Sequence, residues 1–116
     1  MSDALASLVS SRLPIVGLAA YSIHSPNRQL VTQCFSKSLY PSATEQMLSE
    51  VVRSGRTLLP PGESAARYCW VFECLKVYVA TRVDGLCLAL LVENHPGVQT
   101  VRIQAMLQDF AELAEV

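Results

Sequence analysis

The stretch that decides the fold reads KVYVATRVDGLCLALLVE and runs from Lys76 to Glu93. Its two halves are strand-like runs, and Asp84-Gly85 between them is a strong signal for a tight hairpin turn. The second run, from Leu86 to Glu93, is almost wholly apolar. Such a run is typical of a strand that is covered on both faces, so we expect it to lie inside a sheet.

Another strand-like run lies just before this hairpin. It alternates between two faces, with Tyr68, Trp70 and Phe72 on one and Cys69 and Val71 on the other. The run holds no proline and no inward-facing lysine, which are residues that keep edge strands from pairing. At a sheet edge, such a strand either pairs with another chain or invites aggregation. The alternative is that the three aromatic residues fill the core of a single chain.

The remaining elements follow from apolar periodicity and from turn and capping signals. The capping box Ser42-Ala-Thr-Glu45 opens the second helix, which ends near Gly55. The Pro-rich segment Leu58–Glu63 that follows is expected to be a loop. The other predicted elements are a helix from Asp3 to about Arg12, strands at Ile15–Ile23 and Gln29–Phe35, and a last helix from about Val98 to Glu115.

The predicted order is therefore α-β-β-α-β-β-β-α, in a single domain that spans residues 1–116. This order favours an α+β fold, an α/β sandwich whose five-stranded mixed sheet is flanked by helices on both faces. The first and fifth strands are the most apolar, so we place them inside the sheet as parallel neighbours. The second and third strands then form the edges, which gives the strand order 2-1-5-4-3.

Composition limits the classes of partner. The chain is 51% hydrophobic and only 16% charged, whereas about 25% charged residues is usual. The excess apolar surface fits a subunit interface, although small sheet proteins are also simply rich in Val and Leu. The net charge of −1 offers no basic field for nucleic acid. No apolar run reaches the roughly 18 residues of a membrane span, and no secretory signal opens the chain, so we expect a cytoplasmic protein.

The sequence contains no constellation that predicts catalysis, a cofactor or a metal ion. The four cysteines, Cys34, Cys69, Cys74 and Cys87, form no C-x-x-C motif, and we expect most of them to be buried thiols. Both histidines, His24 and His95, adjoin turns with prolines and are expected to be solvated. We therefore predict no catalytic, cofactor-binding or metal-binding residues.

The element order, and above all the Lys76–Glu93 hairpin leading into the last helix, resembles the roadblock/LC7 domain family. This family includes dynein light chains, Ragulator subunits and bacterial gliding-motility GTPase regulators, and the resemblance covers about Asp3 to Leu113. It implies a roadblock/profilin-like fold and a non-enzymatic, homodimeric adaptor. By the same resemblance, the partner would be a Ras-like small GTPase or another NTPase-linked machine, which the dimer scaffolds or regulates.

The resemblance also implies where the contacts lie. Family members pair their third strands edge to edge and pack their second helices across a two-fold axis. The expected dimer interface consists of Met47, Val51, Ser54, Tyr68, Cys69, Trp70, Val71 and Phe72. A docking surface on the second helix would use Glu45, Gln46, Glu50 and Arg53, although these residues also fit an ordinary solvated helix face.

Two other functions stay open on the sequence alone. The first is a PAS- or profilin-like small-molecule sensor that encloses a ligand beside Trp70 and Tyr78. The second is a thiol enzyme that uses Cys74, the cysteine whose burial is least clear. Neither alternative has a matching sequence motif.

Overall fold

A computed structural model describes residues 3–25, 29–36, 39–57, 65–82, 85–94 and 96–113. Within these residues the predicted order of three helices and five strands is confirmed. The elements in chain order are α1 (Asp3–Arg12), β1 (Leu18–His24), β2 (Gln29–Cys34), α2 (Pro41–Thr57), β3 (Ala65–Val71), β4 (Leu75–Arg82), β5 (Cys87–Glu93) and α3 (Thr100–Glu112).

The five strands form one sheet in the order β2-β1-β5-β4-β3, as predicted. Every neighbouring pair is antiparallel, so the expected mixed sheet with parallel first and fifth strands is wrong. The reason lies in α2, whose 17 residues extend about 25 Å. That length returns the chain to the other end of the sheet, so β3 runs in the same direction as β2. Two hairpins then make β5 antiparallel to β1.

Tight turns join the last three strands. Gly85 has a φ of 90°, a left-handed conformation that favours glycine, and its N–H donates to the Arg82 carbonyl at 3.0 Å. The predicted turn is thus confirmed at Gly85, while Asp84 lies outside the described residues. Between β3 and β4, the Phe72 N–H donates to the Leu75 carbonyl at 2.9 Å. Glu73 and Cys74 therefore form the tip of the second turn.

The two sheet faces bury separate hydrophobic clusters, one under α1 and α3 and the other under α2. β5 contributes to both, because alternate side chains of a strand point to opposite faces. Its α1–α3 side carries Leu88, Leu90 and Val92, and its α2 side carries Cys87, Ala89 and Leu91. The prediction of a central strand covered on both faces is confirmed.

Several element boundaries differ from the sequence prediction. β1 begins at Leu18 and not at Ile15, and β3 spans Ala65–Val71 and not Tyr68–Glu73. α2 begins at Pro41, so Ser42 lies inside the first turn and not at the cap position. Proline suits the first helical position because the N–H that it lacks has no partner inside the helix. The predicted loop at Leu58–Glu63 lies outside the described residues.

Gly17 is the position where the backbone most clearly requires glycine. Its φ is 93°, and an added Cβ would lie 2.5 Å from Val98 Cγ2. We expect Gly17→Ala to lower the free energy of unfolding by about 2–4 kcal/mol, because it combines left-handed strain with overpacking. Urea denaturation followed by circular dichroism measures the loss.

Gly55→Ala is the matched control for this substitution. Gly55 lies within α2 at a negative φ, and its added Cβ would make ordinary contacts at 3.6 Å with Trp70, Tyr68 and Val79. Alanine favours a helix over glycine by about 1 kcal/mol, so this variant should be at least as stable as the parent. Equal stabilities of the Gly17→Ala variant and the parent would contradict the packing described.

Candidate protein-interaction surface

β3 is the last strand of the sheet and pairs only with β4 in the described part of the chain. Because the Phe72 N–H points toward β4, and hydrogen-bonding direction alternates along an antiparallel strand, the backbone groups of Tyr68 and Trp70 also point inward. Those of Arg67, Cys69 and Val71 point outward. The outer edge therefore presents three sets of donors and acceptors in a row.

The side chains of β3 divide between the two sheet faces as predicted. Tyr68 and Trp70 are half-buried, lie under α2 beside Gly55 and contact each other edge to face, with ring centroids 5.8 Å apart. On the other face Cys69 is exposed and Val71 is 68% exposed. Phe72, just beyond the strand, is 41% exposed. The aromatic residues are thus only partly used by the core of one chain.

The interface residues predicted on α2 differ in exposure. Ser54 is exposed, Met47 is half-buried, and Val51 is only 8% exposed because it packs in the cluster between α2 and the sheet. Val51 therefore has little surface to offer a second chain. Met47 lines a cleft with Leu75 at the start of β4, which places this flank of α2 toward β4 and β3.

The four docking residues predicted on α2 are exposed, but they do not share one face. Consecutive helical residues are about 100° apart around the axis. Glu50 lies about 60° from Met47 around the helix, whereas Gln46 and Arg53 lie about 100° and 120° from it, on the solvent side. Glu45 is five positions from Glu50 and so lies about 140° away, toward the opposite flank.

One end of the sheet collects exposed apolar residues, of which sequence analysis placed only Val71 and Phe72 in an interface. At this end β1 and β4 begin, and β2, β3 and β5 finish. No local signal marks the other four, because they are scattered along the sequence and only the topology brings all six residues together. They are Val16, Phe35, Tyr40, Val71, Phe72 and Val101.

Clefts open at the same end. One of about 320 Å³ is lined by Leu39, Cys74, Leu75 and Glu93, among others. A second of about 210 Å³ continues along Met47 and the start of α2, and a third of about 140 Å³ adjoins Phe35. Trp70 and Tyr78 line none of these three clefts.

The sensor site predicted between Trp70 and Tyr78 is contradicted by the sheet. Trp70 packs with the cluster under α2, whereas Tyr78 packs with the cluster under α1 and α3. Tyr78 pairs with Cys69, and Trp70 pairs with Val77, so the two aromatic side chains project from opposite faces. The sheet itself separates them, and no ligand can lie beside both.

The cysteines are more exposed than expected. Cys87 is buried and Cys34 is half-buried, but Cys69 and Cys74 are both exposed. The expectation was wrong because it equated an apolar neighbourhood in sequence with burial. Cys69 lies on the outer part of a sheet face that α1 and α3 do not cover, and Cys74 lies at a turn tip.

His24 also differs from its prediction. It is the last residue of β1, only 4% exposed, and its Nε2 lies 2.7 Å from Ser22 Oγ. Nearby, the Tyr21 hydroxyl donates to Gln33 Oε1 at 3.2 Å, and burial raises the pKa of Tyr21. His24 lies at the end of β1 opposite to the Cys74 turn, about 20 Å away along the strands. His24 therefore cannot act as the base for the Cys74 thiol. The other histidine, His95, lies outside the described residues.

Two other properties of the described residues bear on this surface. No three of their His, Cys, Asp and Glu side chains form a group that could hold a metal ion. Their helices are each too short or too polar to cross a lipid bilayer.

Neither the protein-family models nor the curated proteins contain a match to this chain. Among solved structures, it is similar to a roadblock/LC7 domain from Streptomyces avermitilis, with a TM-score of 0.53 and 17% identity over 93% of this chain and 92% of that one. It is also similar to Myxococcus xanthus MglB, with a TM-score of 0.48 and 9% identity over 83% and 82% of the two chains. At such identities the likeness concerns the fold alone, and the Streptomyces domain carries it. The resemblance inferred from the sequence is confirmed at that level: the chain has the roadblock/LC7 fold.

Proposed function

We propose that the protein is a non-enzymatic, cytoplasmic adaptor of the roadblock/LC7 type. Two copies join through β3 and α2, and the dimer scaffolds or regulates a Ras-like small GTPase or another NTPase-linked protein. The observation that carries the proposal is the outer edge of β3, which has half-buried aromatic residues and, in the described part of the chain, no strand beside it. The fold that the chain shares with the Streptomyces domain supports the same proposal.

Pairing of two β3 edges satisfies the outward backbone groups of both chains. A two-fold axis at Cys69 would place Arg67 opposite Val71 of the second copy and Val71 opposite its Arg67. All three outward positions of each strand would then be hydrogen-bonded. Such a contact is isologous, so it closes at two copies and leaves no third chain to add at that edge.

The apolar residues around this edge supply the rest of the dimer contact. Val71 and Phe72 are among the most exposed large hydrophobic residues of the described chain. The half-buried Trp70 contributes the exposed part of its side chain, and Met47 and Ser54 contribute the neighbouring flank of α2. Tyr68 offers less, because its hydroxyl oxygen is buried. Val51 remains in the proposed interface only at its margin, because 8% of its surface is accessible.

A partner protein would dock on the polar side of the two α2 helices. The proposed contacts are Glu45 and Gln46, both of them exposed. The other two predicted residues, Glu50 and Arg53, are also exposed and carry opposite charges, but they lie between this surface and the second copy. Mixed charges of this kind favour orientation and specificity more than raw affinity. Paired helices would present this set twice, on a surface that one chain does not possess.

Val71→Lys tests the strand contact without disturbing the core. Because residue 71 is 68% exposed, the variant should fold normally, while the new lysine would face Arg67 of the second copy and repel it. Light scattering of the parent should give about twice the 12.7 kDa of one chain, and the variant should approach the mass of one chain.

Gln104→Lys is the matched control, because Gln104 is exposed on α3 and does not belong to the apolar residues gathered at the end of the sheet with Val71. It should keep the mass of the parent. An unchanged dimer mass for Val71→Lys, with circular dichroism showing a folded protein, would count against the interface.

The non-enzymatic part of the proposal has a direct test. The purified chain, incubated alone with GTP or ATP and magnesium, should release phosphate no faster than buffer. The physical reason is that the described residues provide no set of groups that binds phosphate and orients a nucleophile. Turnover that co-elutes with the 12.7 kDa chain and persists through two further columns would refute it.

The docking surface has its own test, in which the tagged protein captures partners in a GTP analogue or in GDP. We expect one Ras-like GTPase to be retained in a nucleotide-dependent way and lost in the Glu45→Lys/Gln46→Lys variant, which reverses or adds charge where the partner docks. Gln104→Lys, an exposed change on α3, should retain it. Equal capture by all three proteins would contradict the docking surface.

A further inference from the structure

The charges of α2 are arranged by sign along the helix. Glu45 and Glu50 lie in its first ten residues, and Arg53 and Arg56 lie in the last five. Glu50 and Arg53 are exposed, and neither makes a hydrogen bond or ion pair with any described residue. They are three positions apart, a spacing that permits an ion pair within one helix, yet they do not form one.

The helix dipole does not explain this arrangement. The dipole stabilises charges within the first or last turn of a helix. Glu50 is the tenth and Arg53 the thirteenth of 17 residues, so both lie outside the terminal turns. Neither the helix dipole nor an ion pair within the helix therefore accounts for the separation of charge along α2.

The position of these charges on α2 points to the dimer contact. Glu50 follows Met47 by three residues and precedes Ser54 by four, so the three side chains share one flank. Met47 lines a cleft with Leu75 on the β4 side of the helix, which directs that flank toward β4 and β3. Arg53 adjoins it on the solvent side.

Two-fold symmetry makes the arrangement self-complementary. When two identical helices pack antiparallel across a two-fold axis, a residue before the axis lies opposite the residue of the second copy that is equally far beyond it. An axis that crosses α2 between residues 51 and 52 places Glu50 opposite Arg53 of the second copy, and Arg53 opposite its Glu50. Parallel packing would instead oppose like charges.

The helix and strand contacts can share this axis. Gly55 lies beside Tyr68 and Trp70, and α2 runs antiparallel to β3. The midpoint between residues 51 and 52 is about 5 Å back along the helix from Gly55. A distance of 5 Å corresponds to between one and two residues along β3, so the midpoint lies beside Trp70 and Val71, within about two residues of Cys69. The outward backbone groups of β3 are centred on Cys69.

We propose that Glu50 and Arg53 form two reciprocal ion pairs across the dimer axis and thereby select a second copy of this chain as the partner. The inference rests on the proposed homodimer and adds the determinant of its specificity. A related subunit with other charges at these two positions would lose both ion pairs. Charge complementarity acts here on specificity, since each pair is exposed to solvent.

A charge-swap series tests the inference by sedimentation velocity over a range of protein concentrations. Glu50→Arg opposes two arginines on each side of the axis, and Arg53→Glu opposes two glutamates. Each single variant should weaken the homodimer by about tenfold or more at low ionic strength. The double variant Glu50→Arg/Arg53→Glu should recover the parental dissociation constant within about threefold, because it restores both pairs in reverse.

Mixing the two single variants provides a second and independent readout. One chain would then carry arginine and the other glutamate at each contact, so the mixture should form a heterodimer more tightly than either variant forms a homodimer. Glu112→Arg is the matched control, because it makes the same charge change at an exposed position of α3. It should leave the dissociation constant unchanged.

The outcomes separate this inference from the proposed function. One outcome is that the parent, Glu50→Arg, Arg53→Glu, the double variant and Glu112→Arg all dimerise equally. The ion pairs are then refuted, and the homodimer stands. If both single variants weaken but the double variant and the mixture do not recover, the charges act separately and the reciprocal pairing is refuted. If the parent sediments as one chain at every concentration, the proposed homodimer itself fails, and the inference with it.

Discussion

The rest of the structure depends on the burial of β5. Its residues from Cys87 to Val92 are all buried, and their apolar side chains project alternately from both faces of the sheet. Because both faces of the strand are apolar, both must be covered. The helix α2 covers one face, and α1 and α3 cover the other. This requirement makes β5 the central strand and sends β2 and β3 to the two edges.

The helix layers cover the centre of the sheet better than its β3 side. On the α1–α3 face, Cys69 and Val71 stay exposed. On the α2 face, the helix reaches β3 only where Gly55 lies beside the rings of Tyr68 and Trp70. The rings nevertheless remain half-buried. An apolar strand with outward backbone groups is therefore a direct consequence of how the core is built.

Much of the architecture could be predicted from the sequence, because it depends on local patterns. The apolar run of β5 predicts its central position, Gly85 predicts its turn, and the alternation in β3 predicts which side chains share a face. Strand direction could not be read in the same way. It depends on where α2 delivers the chain, and that is a property of helix length and path that apolar periodicity does not encode.

The candidate surface could be predicted only in part, because the exposure of a residue depends on the path of other elements. The residues of β3 could be named from their pattern, but exposure depends on how far the helices extend over the sheet. Cys69 was therefore expected to be buried, and His24 was expected in a solvated turn. Val51 fits an interface by helical spacing but is used by its own core. The apolar residues gathered at one end of the sheet come from five separate places in the chain.

The central claim is that a second copy covers the outer edge of β3, and amide hydrogen exchange followed by NMR tests it most directly. Inward amides, such as those of Tyr68 and Trp70, bond to β4 in either case. The account predicts that the outward amides of Arg67, Cys69 and Val71 are equally protected in concentrated protein and lose that protection on dilution. Rapid exchange at these three positions in concentrated protein, beside protected inward neighbours, would contradict it.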